Sequence, residues 1–130
     1  MQAENPTTTR SGERAALAWA FCSSFALMCG YYVLRAAADR GVAVLVNRPF
    51  GSGELFDRVR AKPLPAWAAE VGCASWAQFF LKYVLGHPAV TCAIPATANP
   101  KHLDDNLDAG CAPLPDEATR RRMAASFEAL

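Results

Sequence analysis

Apolar and polar positions follow two different rhythms along this chain. Residues 1–14 are polar, with Pro6 and the run Thr7, Thr8 and Thr9, and are expected to form a disordered tail. From Ala15 to Leu34 the sequence AALAWAFCSSFALMCGYYVL carries no charge. As a helix it would span about 30 Å, the thickness of a bilayer's hydrocarbon core. Arg10 and Arg14 precede it, Arg35 and Arg40 follow it, and Tyr31 and Tyr32 lie where an interfacial aromatic belt would sit. Residues 15–40 therefore read as an apolar, transmembrane helix. A cleaved leader and a helix buried in a soluble fold are the competing readings.

Beyond residue 40 the pattern changes. Val42 to Val46 is an unbroken aliphatic run, as in a parallel strand buried on both faces. Asn47 to Gly53 supplies turn residues, with Pro49, Gly51, Ser52 and Gly53 together. Pro63 and Pro65 lead into AWAAEV, a short helix with Gly72 as its stop. Ser75 and Gln78 fit a capping box opening a helix whose Trp76, Phe79, Phe80 and Tyr83 form a core-facing stripe. Ala89 to Ile94 reads as a second buried strand. Asn99-Pro100 then pairs a capping side chain with proline at the first helical position, and that helix ends at Gly110. A last helix begins near Asp116 with Met123 and Phe127 on one face, and Arg120, Arg121 and Arg122 read as a solvated face.

Strand, loop, helix, strand, loop, helix is a βαβα order, which implies a parallel sheet. Ligands of such folds bind at the carboxyl ends of the strands, here Asn47–Gly53 and Pro95–Asn99. The free N–H groups at the start of the Asn99 helix would favour phosphate.

Composition narrows the function classes. The 130 residues are 52% apolar and 19% charged, enough to build a core, and the net charge of +1 gives no footprint for nucleic acid. Cysteines 22, 29, 73, 92 and 111 form no Cys-x-x-Cys pair and read as buried thiols rather than a disulfide or metal set.

Two stretches resemble known families. GYYVLRAAADR, residues 30–40, is similar to the end of the first membrane helix of nucleotide-carrier and major-facilitator-type transporters, through Tyr31, Tyr32, Leu34, Arg35 and Asp39. Residues 41–130 resemble the C-terminal part of an aldo/keto reductase. The matching wording is GVAVLVNRPFGSG, then GCASWAQFFLKYVLGHPAVTCAIPATANPKHLDDNLDAG, then LPDEATRRRMAASFEAL. The resemblance implies an α/β fold, a partial (β/α)8 TIM barrel made of the last two βα units and a C-terminal helix, preceded by the long apolar N-terminal helix.

It also implies NADP(H), or NAD(H), as cofactor. By position Asn47 falls where many members stack an aromatic on the nicotinamide. Arg48, Phe50, Gly51 and Ser52 fall where the family's loop lines the pyrophosphate. Thr97 and Asn99 would touch the adenosine phosphate, and Asp105 and Asn106 the adenine. His102 replaces an arginine that meets the 2′-phosphate and Ala96 a frequent lysine, which implies a weaker preference for NADPH. The family's catalytic Tyr, Lys, Asp and His lie on earlier strands without counterparts here, so no residue is assigned a catalytic role and carbonyl reduction by this chain alone is not expected.

The implied partner is a chain supplying the missing barrel strands. The alternative is a small membrane-anchored binding protein that arose by rearrangement, held to the membrane by residues 15–34. A chain whose apolar run does not insert would be cytoplasmic.

Overall fold

The computed structural model describes residue 30 and residues 32–130. The tail at 1–14 and most of the apolar run at 15–34 lie outside the described residues. Among those described, no helix is long and apolar enough to cross a membrane.

The described end of the apolar run is helical, and this helix, α1, includes residues 32–39. It stops at Gly41, whose positive φ of 62° closes the helix. The Gly41 N–H donates to the Ala38 carbonyl and the Val42 N–H to the Ala37 carbonyl, a Schellman pair that satisfies the last free carbonyls. The change of pattern near residue 40 is thus a helix end leading into a strand.

That strand, β1 (Leu45–Asn47), pairs in parallel with β2 (Cys92–Ile94), with Leu45 opposite Cys92 and Asn47 opposite Ile94. Thr91 extends the ladder, because its Oγ1 accepts from Val44 N–H at 3.0 Å and its own N–H donates to the Val44 carbonyl at 2.9 Å. The apolar runs predict longer strands, buried on both faces. Instead Val42, Leu45 and Ile94 are 57%, 61% and 48% exposed. The reason is geometric: each strand has one strand neighbour among the described residues.

Between the strands lie a 3-10 turn at Gly51–Gly53, helix α2 (Glu54–Val59), a 3-10 helix at Ala66–Val71 and helix α3 (Trp76–Leu85). No sequence signal announces α2, which begins on Gly53 without a side-chain cap. Gly72 ends the second 3-10 helix at φ 67°, as expected. After β2 come α4 (Pro100–Cys111) and α5 (Glu117–Glu128), capped by Asn99 and Asp116.

The core sits among α2, α3 and α5. Val59, Ala68, Cys73, Phe79, Phe80 and Met123 are buried there, with Trp67, Trp76 and Phe127 packed around them. Phe79 and Phe80 each meet Trp76, with centroids 5.2 and 5.6 Å away. Rings at such separations add to the benefit of burial itself. Lys82 is fully buried, and its Nζ donates to the carbonyls of Ala112 at 3.4 Å and Pro113 at 3.2 Å. It thereby fastens the α4–α5 connection to α3. The same connection explains Gly86, because a Cβ there would stand 2.7 Å from the Pro115 carbonyl oxygen.

Arg120 departs from the expected solvated face. Its side chain is only 11% exposed, lies over the Tyr83 ring at 4.7 Å and donates to the Tyr83 carbonyl at 2.9 Å. Burial of the α5 face carries the arginine with it. Arg121 and Arg122 are exposed.

Candidate functional site

The carboxyl ends of β1 and β2 open into a cleft of about 650 Å³. Three segments build it: the loop after β1 running on into α2, the start of α3, and the stretch from Ile94 into α4.

The first segment is held in an uncommon backbone shape. Arg48 and Ser52 both have positive φ, 55° and 59°, as do Gly51 and Gly53 beside them. Left-handed backbone is natural for glycine but costs other residues roughly 1–2 kcal/mol. Two non-glycine residues keep it within one short loop, and both line the cleft. Strain of this kind gathers at functional loops.

An aromatic wall follows. Phe50 meets Phe56 at 4.9 Å, Phe56 meets Phe80 at 5.7 Å, and Phe80 stacks on Trp76 at 5.6 Å with planes 26° apart. Phe50, Phe56 and Trp76 face the cleft, while Phe80 ties them into the core. The Trp76 indole N–H donates to the Lys62 carbonyl at 3.0 Å, so the ring's orientation is set by the protein.

The opposite wall is polar: Thr97, His102, Asp105 and Asn106. Here the expectation of free N–H groups fails. The Asn99 N–H donates to Thr97 Oγ1 at 3.2 Å, the Lys101 N–H to Asn99 Oδ1 at 3.0 Å, and the His102 N–H to the Asn99 carbonyl at 3.0 Å. Pro100 has no N–H to offer. The strong capping signal that marks the helix start therefore consumes the amides it was expected to present. What remains for an anion is the helix dipole and the Thr97 hydroxyl, which accepts one bond and keeps its own proton to donate.

Asp105 is likewise engaged within the protein. Its Oδ2 accepts from the Ser75 hydroxyl at 2.7 Å and its Oδ1 from Gln78 Nε2 at 2.7 Å. Ser75 Oγ also accepts from Gln78 N–H at 3.1 Å, the first half of the expected capping box. The second half is displaced by one residue, since Gln78 Oε1 accepts from Ala74 N–H rather than from Ser75.

Of the residues singled out from the sequence, Asn47, Arg48, Phe50, Ser52, Thr97, His102, Asp105 and Asn106 line this one cleft. Asn99 does not; it caps α4. Sequence reasoning missed Phe56, Ser75, Trp76 and Ala77, which also line it. The capping box located the start of α3 but not which way that start faces. His87 lies elsewhere, with Nδ1 accepting from Ala89 N–H at 3.1 Å in the turn after α3. Burial pushes its pKa below 6.5, with help from the Arg120 charge and against a smaller opposing effect of Glu117.

A parallel strand pair with a polar and aromatic cleft at its carboxyl ends is an α/β arrangement of the partial-barrel kind. Comparison with known proteins makes the class specific. The model of the aldo/keto reductase family matches residues 32–125, so the chain belongs to the aldo/keto reductase family. The match runs through residues 32–40, and nothing supports the transporter resemblance of that stretch. No curated protein and no solved structure matches the chain.

Proposed function

We propose that this chain carries the end of an aldo/keto reductase site that holds the phosphates and adenosine of NADP(H). The reading rests on one observation: all of the residues that the family resemblance selects except Gly51 and Asn99 line a single cleft that also carries an aromatic wall. The donor set suits such a ligand. Arg48 supplies a permanent positive charge and Thr97 a hydroxyl donor, as phosphate recognition requires. Phe50, Phe56 and Trp76 offer flat apolar surface to a heteroaromatic ring.

In this reading Arg48, Phe50 and Ser52 flank the pyrophosphate, Thr97 receives the adenosine phosphate, and Asn99 keeps the start of α4 in shape for it. His102 meets the 2′-phosphate, Asn106 reads the adenine, and Asn47 borders the nicotinamide. With histidine at 102 and alanine at 96, discrimination between NADPH and NADH is weak. When bound, the cofactor supplies hydride. The chain's own residues bind and orient it. A chain presenting further strands is the partner that would complete the barrel, and the open faces of Leu45 and Ile94 suit that role.

Calorimetry with NADP+, which carries the pyrophosphate assigned to Arg48, tests the reading. Saturable binding that weakens about tenfold or more in Arg48→Ala is expected, from loss of one charge-assisted contact. Binding unaffected by that substitution, or no binding, counts against it.

A further inference from the structure

We propose that Asp105 is a positioning residue, bracing the two walls of the cleft rather than contacting the ligand. This deepens the cofactor reading and rests on it for the ligand's identity. Asp105 lies on α4, one turn beyond His102 and next to Asn106. Its two oxygens are held by two residues of the α3 start, the Ser75 hydroxyl and Gln78 Nε2, both at 2.7 Å. Gln78 is itself only 6% exposed and anchored, because its Oε1 accepts from Ala74 N–H at 2.7 Å. Ser75 is anchored too, as the N-cap of α3.

The consequence is mechanical. Residues three apart on a helix share a face, so fixing Asp105 fixes the rotation of α4 about its axis. That rotation aims His102 and Asn106 into the cleft, opposite Trp76. Charge-assisted hydrogen bonds of this length are the strong kind, and among the described residues the buried Gln78 amide gives its Nε2 to Asp105 alone. A ligand that pulled Asp105 off that amide would leave the amide unsatisfied, so we assign reading of the adenine to Asn106.

Exchanging donor and acceptor tests this. In Gln78→Glu a second carboxylate faces Asp105 Oδ1, two acceptors opposed, while the new side chain still offers an oxygen to Ala74 N–H. Adding Asp105→Asn sets an amide N–H against that carboxylate and restores the pair. The full chain, the single variant and the double variant are compared by NADPH fluorescence titration, alongside the deaminated nucleotide that carries hypoxanthine. The thermal midpoint is measured without nucleotide. Bracing predicts a lower midpoint in the single variant, recovered in the double. It predicts that the single variant binds both nucleotides about tenfold more weakly, by the same factor, and that the double variant recovers both. Selective loss of the adenine nucleotide in the double variant would overturn the proposal, as would an unchanged midpoint in the single variant. Should the unaltered chain bind neither nucleotide, the cofactor reading fails, while the midpoint still decides whether Asp105 braces the walls.

Discussion

The helical side of this molecule and its sheet reach very different degrees of completion. Around α3, residues 79, 80 and 123 are buried by neighbours on α2, α5 and the 3-10 helix at Ala66–Val71. At the sheet, three-residue strands leave Leu45 and Ile94 largely open. Helices bury an apolar stripe against elements nearby in sequence, whereas a strand of a parallel barrel needs a neighbour on each edge. The same chain therefore buries a helical core while its two-stranded sheet stays largely open among the described residues. The contrast also explains how the cleft keeps its shape: the walls hang on the helical side, through Phe80 and the Asp105 bridge.

Substitutions on the two sides should part company sharply. Phe79→Ala removes a ring packed against Trp67 and Trp76, and should lower stability by about 3–5 kcal/mol in chemical denaturation. Next in size is Gly86→Ala, whose added methyl runs into the Pro115 carbonyl and should cost about 1–3 kcal/mol. On the strained loop the sign reverses. Ser52→Gly relieves a positive φ and should raise the denaturation midpoint by up to about 1 kcal/mol of stability, offset in part by glycine's greater freedom when unfolded. Leu45→Thr, on the open sheet face, should change stability by no more than about 0.5 kcal/mol. A loss at Leu45 rivalling that at Phe79 would mean that the sheet face is covered after all, and the comparison would collapse.

The smallest effect concerns acid. Because burial holds His87 below 6.5 in the folded chain, the unfolded chain takes up more protons just under that pH. Stability should be full above 6.5 and decline as the pH falls through the folded value. Nuclear magnetic resonance titration of the His87 ring gives that value directly, and a midpoint above 6.5 would reverse the predicted slope. At lower pH the carboxylates of Asp116, held down mainly by Thr119, and Glu117, held down mainly by Arg121, extend the decline in the same direction.

How legible these features were depends on how local their causes are. The caps at Ser75, Asn99 and Asp116 and the stop at Gly72 involve residues within a few positions, and the sequence announces each of them. Helix α2 escaped because Gly53 gives it no capping side chain to read. The expected burial of the strands failed because burial depends on neighbours the strands do not have among the described residues. The burial of Arg120 and the hydrogen bonds of Asp105 were not legible for a shared reason: their partners, Tyr83 and the Ser75–Gln78 pair, lie 27 to 37 positions away. Trp76 belongs to the core stripe by spacing, yet its first-turn position also gives it a cleft face. The site residues themselves were reached through family wording, since no periodicity singles out Thr97 or Asn106.

The most direct test of the central claim is to titrate NADPH into the 130-residue chain and follow its backbone amide resonances. The account predicts saturable shifts concentrated at Arg48, Ser52, Thr97, His102 and Asn106, on both sides of the cleft. An absence of shifts, or shifts centred instead on the apolar cavity between Leu55, Tyr83 and Phe127, would contradict it.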